Sequence, residues 1–284
     1  MRIRSQLVLT FLLLAGFPTA SINAQQYLGF DRNDYPGDAA LPELRRHFDF
    51  TGYWITPPPG GHHNSWSGKR SIVAAQGFGF LVLANGRLEA EILAQAKSKA
   101  RPRPPAALGH DDAVAAIHAA TTEGFPSGTI LYLDQEEGGR LDPPQAAYLL
   151  SWTETVAASG FRPGAYLSGQ PVPEGPGKTI TTAQDIQQQI DGKHLHPISF
   201  FVYQDACPPS NGCTLHPPPL AASGIPGTDI WQYAQSPRRP SATRACVKTY
   251  AADNNCYADT QSTALKSISL DLSVAGSPDP SHGR

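Results

Sequence analysis

The stretch TILYLDQEEGG, residues 129–139, joins a buried-strand pattern to a crowd of acidic side chains. Its first six residues are mostly apolar or β-favouring, which predicts a strand covered on both faces. Asp134, Glu136 and Glu137 follow at the end of this strand. Carboxylates placed side by side at a buried strand tip cost free energy, because like charges and burial both disfavour ionisation. The cluster therefore indicates either a functional site or a solvated acidic loop.

The rest of the chain repeats the same strand pattern and alternates it with helical segments. The predicted strands are residues 27–31, 50–56, 78–84, 129–134, 164–169, 198–205 and 229–235. The segments with helical periodicity are residues 36–48, 69–76, 89–100, 110–124, 142–160 and 182–190. A strand followed by a helix, repeated in this way, predicts a parallel sheet with helices outside it.

A closed barrel and an open doubly wound sheet both satisfy this alternation. No G-x-G-x-x-G loop follows the first strand, which weakens the dinucleotide-binding version of the open sheet. The chain of 284 residues is close to the usual barrel length of about 250. We therefore expect an α/β fold of the (β/α)8 TIM type. Some helices should be irregular or missing, because residues 57–68 and 206–228 lack helical periodicity.

The N-terminus has the pattern of a secretory signal peptide. Arg2 and Arg4 precede an apolar run at residues 7–17, and small residues lead to Ala24. The run is much shorter than the roughly 20 residues of a membrane-spanning helix, which disfavours an uncleaved anchor. The predicted organisation is a signal peptide at 1–24, a barrel domain at 25–272 and a disordered tail at 273–284.

Composition and charge exclude several classes of partner. The chain has 22 basic and 24 acidic residues, a net charge of −2, and no basic stripe, which argues against nucleic acid. No later stretch is long and apolar enough to span a bilayer. We expect a monomer that is secreted or held in the periplasm or cell envelope, with no cofactor.

The four cysteines all lie in the C-terminal third of the chain. Export and an even number of cysteines favour two disulfides over free thiols. Three pairings are possible, and nearness in sequence favours Cys207–Cys213 with Cys246–Cys256. A zinc site is disfavoured, because neither spacing is C-x-x-C.

Polar residues recur at the C-terminal ends of the predicted strands, where barrel active sites lie. Asp31 ends the first strand, Asp134 and Glu136 end the fourth, and Tyr166 lies near the end of the fifth. Residues two apart on a strand share a face, so Asp134 and Glu136 should project together while Gln135 points away. Two adjacent carboxyl groups have different pKa values, which suits a general acid and a carboxylate that stays ionised beside it.

Four segments in this order resemble a known family: YLGFD, ILYLDQE, GAYLSG and DIWQYA. Together they are similar to the lysozyme-type glycoside hydrolases of family 25. They are closer still to the secreted bacterial glycoside hydrolase-like domains related to that family. The resemblance covers residues 27–260. It implies a (β/α) barrel that cleaves the β-1,4 bond between N-acetylmuramic acid and N-acetylglucosamine, with peptidoglycan or a related polysaccharide as its partner.

The resemblance also implies roles for individual residues. Glu136 would be the general acid, and Asp134 would stabilise the positive charge of the transition state or the acetamido group of the substrate. From the shared strand face we expect Glu136 to be protonated in the resting site, because Asp134 stays ionised and partial burial of Glu136 adds to this effect. Asp31 would orient sugar and water. Asp253 is the best match to an aspartate that the family has in a D-x-N pattern near the last strand, and it would have the same role. The alternative is that Asp253 is a turn residue. Glu137 competes with Glu136 for the role of acid.

The predicted sugar contacts come from the seventh and fifth strands. Trp231, Gln232, Tyr233 and Tyr166 are the candidates, with Glu137 beside them. Aromatic faces are apolar enough to stack on sugar rings, but Tyr166 is better explained as barrel core.

Two alternatives to an enzyme remain open on the sequence. One is a barrel that binds carbohydrate without turnover. The other is a structural envelope protein in which the carboxylates only cap the barrel, or in which the stretch DNNCYAD at 253–259 holds a cation. The histidine pairs at 62–63 and 194–196 lack a spaced third ligand, so we expect no metal site there.

Overall fold

The computed structural model describes residues 25–205, 212–238, 250–256, 265 and 268–284. Eight strands form a closed barrel, in the order β1-β10-β9-β8-β5-β4-β3-β2. Their bounds are Tyr27–Asp31 (β1), Phe50–Trp54 (β2), Gly79–Asn85 (β3), Ile130–Gln135 (β4), Arg162–Ser168 (β5), Ser199–Tyr203 (β8), Thr228–Ala234 (β9) and Asp271–Ala275 (β10). The predicted barrel is confirmed, and each of the seven predicted strands is found.

The strand that closes the barrel runs against the others. β1 to β5, β8 and β9 are parallel to one another, and β10 pairs antiparallel with both β1 and β9. The sequence did not indicate this strand, because its residues DLSVA are few and partly polar. Its partners on both sides supply the hydrogen bonds that hold it extended.

The C-terminal segment after β10 packs against the N-terminal end of the barrel. Ser281 accepts hydrogen bonds from the backbone of Val82 at its Oγ and of Ile130 at its carbonyl oxygen, both over 2.8 Å. A Cβ at Gly79 would lie 1.9 Å from the Pro278 carbonyl oxygen, so this close approach requires glycine. The expectation of a disordered tail at 273–284 is therefore wrong, because these residues complete the barrel wall and cover its base.

Six α-helices and a hairpin lie outside the barrel in the described residues. The helices are Leu41–Arg45 (α1), Arg70–Ala75 (α2), Glu89–Ala96 (α3), Pro105–Glu123 (α4), Pro143–Ala157 (α5) and Thr182–Lys193 (α6). Short strands Val172–Gly175 (β6) and Lys178–Ile180 (β7) form an antiparallel hairpin between β5 and α6. Of the helices described, none has the length and apolar character to cross a membrane.

Local sequence signals explain where the longer helices begin and end. Gly124 adopts a left-handed conformation at φ 79° and ends α4, as glycine does at many helix ends. Prolines occupy the first turn of α5, where the missing N–H has no cost. Thr181 and Gln184 form a reciprocal capping box at the start of α6, over 3.1 and 3.0 Å.

The disulfide connectivity differs from the local pairing that we expected. Cys213 and Cys256 are bonded to each other across 43 residues of sequence, with their Cα atoms 5.1 Å apart. Neither Cys207–Cys213 nor Cys246–Cys256 can form alongside this bond, so both predicted pairs are wrong. Cys207 and Cys246 lie outside the described residues. Nearness along the chain misled the prediction, since the fold brings together two loops that the sequence separates.

Candidate functional site

A cavity of about 260 Å³ opens at the C-terminal ends of the barrel strands. This is the end at which barrel active sites lie. The cavity combines carboxyl groups, two arginines, amides and aromatic rings. It is lined by Asp31, Arg32, Asn33, Trp54, Pro59, Leu83, Asn85, Gly86, Arg87, Leu88, Asp134, Gln135, Glu136, Glu137, Tyr166, Phe201, Gln232 and Asp271.

Carboxyl groups from three strand ends meet in this cavity. Asp31 ends β1 and faces Asp271 across the antiparallel register of β1 and β10. Asp134 lies near the end of β4, and Glu136 follows that strand by one residue. The sequence predicted that Asp31, Asp134 and Glu136 share one mouth, and the structure brings all three together. Asp271 is the member that the sequence analysis missed.

Burial raises the pKa of three of these carboxyl groups. Burial raises the pKa of Asp31 to about 7. The hydrogen bond from Gln232 opposes this shift, and the nearby charge of Glu136 adds to it. The pKa of Asp134 lies well above its usual value, first through burial and then through Glu136, Asp31 and Glu137. The pKa of Asp271 is raised by burial and by Asp31. At neutral pH the cluster therefore holds protons that isolated aspartates would release.

The distribution of burial between Asp134 and Glu136 is the reverse of the expected one. We expected Glu136 to be partly buried and Asp134 to stay ionised. In the structure Glu136 is exposed at the rim, and Oδ1 of Asp134 is buried without a hydrogen-bond partner in the described residues. Asp134 is held in the barrel because it still belongs to β4 and pairs in register with Asn85 and Tyr166. Glu136 is exposed because β4 ends at Gln135.

A chain of side-chain hydrogen bonds orients Asp31. Gln235 Nε2 donates to the Tyr166 hydroxyl over 3.0 Å, and that hydroxyl donates to Gln232 Oε1 over 2.6 Å. Gln232 Nε2 then donates to Asp31 Oδ2 over 3.0 Å. The expected places of Tyr166 and Gln232 in the cavity are both found. The ring of Tyr166 is buried, as the core interpretation expected, while its hydroxyl belongs to the polar network.

The other two aromatic candidates lie outside the cavity. Trp231 is fully buried and donates from Nε1 to the Gln204 carbonyl oxygen over 2.8 Å. The Tyr233 hydroxyl donates to the Thr214 carbonyl oxygen over 2.6 Å. Side chains alternate along a strand, so both residues point outward when Gln232 points inward. Their predicted role as a sugar-binding floor is wrong on this geometry.

Trp54 is the tryptophan that lines the cavity instead. It ends β2 and is 7% exposed. Its position at the end of a predicted strand, next to the loop at residues 57–68, was the signal that would have identified it.

Asp253, the expected late aspartate, lies in an exposed turn. Its Oδ1 accepts a hydrogen bond from the Asn255 backbone over 3.2 Å, and it does not line the cavity. Asp271 occupies the last barrel strand, where the D-x-N pattern was expected, with Ser273 two residues later. The open alternative of a turn residue is therefore the one that the structure supports for Asp253. Asp271 occupies the position in the carboxyl cluster that we expected for Asp253.

The loop that carries Glu136 and Glu137 is held by α6. The buried hydroxyl of Thr182 donates to the carbonyl oxygens of Glu137 and Gly139 over 2.9 and 2.8 Å. The Glu137 carboxylate accepts a hydrogen bond from the Gln135 amide. These contacts fix the backbone that presents Glu136 to the cavity.

A buried carboxylate anchors the end of the same loop. Asp185 accepts hydrogen bonds from the Leu141 backbone over 3.0 Å and from Arg140 Nη1 over 2.6 Å. Arg140 also pairs with Glu174 of the β6–β7 hairpin. The hairpin is thus tied to the loop beside the cavity.

Within the described residues, no cluster of three or more histidine, cysteine or acidic side chains has a metal-binding arrangement. His196, one of the four histidines considered above, has Nδ1 2.8 Å from Glu154 Oε2. The cavity contains acid–base groups, hydrogen-bond donors and apolar surface, a combination that ligand-binding pockets commonly have.

Residues 68–206 match the model of the Rv2525c-like, glycoside hydrolase-like domain family. The resemblance drawn from the four sequence segments is thereby confirmed. The matched stretch contains β3, β4, β5 and β8, together with Asp134, Glu136, Glu137 and Tyr166. No curated protein matches the chain.

Solved structures are similar to this chain at low sequence identity. An uncharacterised protein from B. stearothermophilus has 18% identity and a TM-score of 0.50, over 88% of this chain and 95% of that one. The Tat-secreted protein Rv2525c of Mycobacterium tuberculosis has 9% identity and a TM-score of 0.47, over 88% and 94%. The catalytic domain of endolysin ply40, from Listeria monocytogenes bacteriophage P40, has 12% and 0.47, over 88% and 93%. The likeness to the first shows the fold.

Proposed function

We propose that this protein acts on peptidoglycan or a related polysaccharide as a glycoside hydrolase. The observation that carries the proposal is the meeting of Asp31, Asp134, Glu136 and Asp271 in one cavity at the C-terminal mouth of the barrel. Glycosidases use paired carboxyl groups, one to protonate the leaving oxygen and one to act on the sugar ring. The match of residues 68–206 to a glycoside hydrolase-like family supports this reaction class.

In the proposed mechanism Glu136 is the general acid. It stands at the exposed rim, where the oxygen between two sugar units of a long chain can reach it. Asp134 lies deeper and contacts the sugar ring that develops positive charge. The proton that Asp134 holds passes to Glu136, which delivers it to the leaving oxygen. Asp134 is then ionised when positive charge develops on the sugar ring, so it stabilises the transition state more than the ground state. Asp31, fixed by Gln232, and Asp271 orient the sugar and the attacking water.

Export of the chain is part of the proposal. The signal-peptide pattern at residues 1–24 lies outside the described residues and stays a prediction. The Cys213–Cys256 disulfide supports it, because disulfides persist in oxidising compartments outside the cytosol. The proposed location is secreted or within the cell envelope, and the proposed state is a monomer.

The test is the release of reducing ends from purified peptidoglycan and a panel of other polysaccharides. The native chain should release them, and Glu136→Gln should lower the rate by roughly 10²–10⁴, the usual contribution of a general acid. Glu137→Gln tests the competing acid. Glu89→Gln is the matched control, since it makes the same change on α3 outside the cavity.

Two outcomes would overturn the proposal in different ways. Binding of glycans without turnover would identify the protein as a carbohydrate-binding barrel. Loss of turnover in Glu137→Gln with full activity in Glu136→Gln would move the role of acid to Glu137.

A further inference from the structure

Two residues that line the cavity, at the ends of the adjacent strands β1 and β2, each carry a buried nitrogen donor. Nε of Arg32, the residue after β1, is buried and has no acceptor in the described part of the chain. The same holds for Nε1 of Trp54 at the end of β2. A buried donor without an acceptor costs about 1–3 kcal/mol, and more when it is charged. Both donors would be satisfied by oxygen atoms of a ligand in the cavity.

Arg32 has no carboxylate partner of its own. It forms no ion pair with the described residues, although burial lowers its pKa and Asp34 opposes that effect. The second arginine of the cavity is different. Arg87 donates from Nε and Nη2 to both carboxylate oxygens of Asp112, over 2.6 and 2.7 Å. A partly desolvated guanidinium without a counter-ion is suited to an incoming anion.

The ligand group that fits both donors is a carboxylate. Its two oxygens match the planar fork of a guanidinium and form charge-assisted hydrogen bonds, which are stronger than those of a neutral sugar hydroxyl. The aspartates of the cavity do not prevent its binding. Burial raises the pKa of Asp134 and of Asp271, which favours the neutral form of both groups and weakens their repulsion of an anion.

We propose that Arg32 and Trp54 form a subsite for the carboxylate of an acidic sugar unit. The inference rests on the proposed function and narrows it to glycans whose units carry a carboxyl group. That group is either the C6 carboxylate of a uronic acid or the lactyl carboxylate of a muramic acid without a stem peptide, because the peptide of peptidoglycan is joined to this carboxyl as an amide. The guanidinium of Arg32 and the indole N–H of Trp54 donate to its oxygens, which places the sugar next to the carboxyl cluster.

The test measures binding of four tetrasaccharides by calorimetry to the full chain with Glu136→Gln, so that no probe is hydrolysed. The probes are an alternating N-acetylglucosamine–N-acetylmuramic acid tetrasaccharide, the same compound with its carboxyls reduced to alcohols, chitotetraose, and a glucuronic acid–N-acetylglucosamine tetrasaccharide. An acidic probe should bind about 10- to 100-fold more tightly than the reduced one. The tighter of the two acidic probes identifies the source of the carboxylate.

Variants assign that preference to the two donors. Arg32→Gln should remove the preference and leave chitotetraose binding unchanged, and Arg32→Lys should restore part of it. Trp54→Phe keeps an aromatic ring and removes the N–H, so it should weaken the acidic probe more than chitotetraose. Arg101→Gln, at an exposed position outside the cavity, is the matched control and should change nothing.

The failures of the two proposals are distinguishable. Equal binding of the acidic and reduced probes would overturn the subsite, and so would an equal loss of both probes in Arg32→Gln. If the native chain still hydrolyses glycans in that case, the proposed function stands without the subsite. Absence of binding to all four tetrasaccharides would overturn the subsite, and the release of reducing ends from polysaccharides would then decide the proposed function separately.

Discussion

Gln232 donates a hydrogen bond from Nε2 to Oδ2 of Asp31 over 3.0 Å, and this contact joins β9 to β1 across the cavity. The amide of Gln232 is held in this orientation because its Oε1 accepts from Tyr166. A donor aimed at a carboxylate stabilises the ionised form, so Gln232 opposes the burial that raises the pKa of Asp31.

The raised pKa of Asp31 makes the stability of the protein depend on pH. Its pKa is about 7 in the folded chain, against an ordinary value of 3.8. Between these values the folded state binds a proton that the unfolded state has released. The free energy of unfolding therefore falls as the pH rises through this window.

Asp31→Asn should remove this dependence, since asparagine keeps an acceptor for Gln232 and does not titrate. Relative to the native chain, the variant should gain up to about 4 kcal/mol between pH 4 and pH 8. Urea denaturation at both pH values measures the difference. Asp142→Asn, at an exposed helix N-terminus, is the control. A constant difference between Asp31→Asn and the native chain from pH 4 to pH 8 would contradict the assignment.

Thr182 should act as a positioning residue for the loop of Glu136. Thr182→Val leaves the carbonyl oxygens of Glu137 and Gly139 without this donor, at a cost of about 1–3 kcal/mol. We expect kcat on peptidoglycan to fall more than KM changes, because the acid is displaced while the cavity persists. Thr182→Ser should restore kcat.

The matched control for Thr182 is Thr153→Val. Thr153 is also buried, and its hydroxyl also donates to a carbonyl oxygen, that of Leu150 in α5. This variant should lose stability without a change in kcat at temperatures well below unfolding. Equal kinetic effects of the two valine variants would argue that Thr182 serves stability alone.

The Cys213–Cys256 disulfide should stabilise the chain strongly because it closes a long loop. For a separation of 43 residues, the chain-entropy model gives about 4 kcal/mol. Replacing both cysteines by serine should lower the free energy of unfolding by up to this amount, and a reducing agent should abolish the difference from the native chain. Mass spectrometry of non-reduced peptides checks the pairing, and a Cys207–Cys213 peptide would refute it.

Much of the fold could be predicted from the sequence because most strands of the barrel are buried on both faces. Apolar runs such as ILYLD predict strands even when the neighbouring strands of the sheet are not known. The closing strand could not be found in this way. Its sequence DLSVA gains strand character from pairing with β1 and β9 on its two sides.

The site was predictable where a residue ends a strand, as at Asp31 and Asp134. It was not predictable where one residue of register decides the direction of a side chain. Trp231 and Tyr233 point outward because Gln232 points inward. The partner of Cys213 depends on how two distant loops meet, which local spacing does not encode.

The most direct test of the central claim identifies the bond that is cut. Peptidoglycan is incubated with the purified chain, the new reducing ends are reduced with borohydride, and the reduced sugars are identified after acid hydrolysis. Cleavage after N-acetylmuramic acid, which the family resemblance implies, predicts reduced muramic acid, formed by the native chain and lost in Glu136→Gln. The absence of new reducing ends would contradict the account, and reduced glucosamine alone would contradict this position of the cut bond.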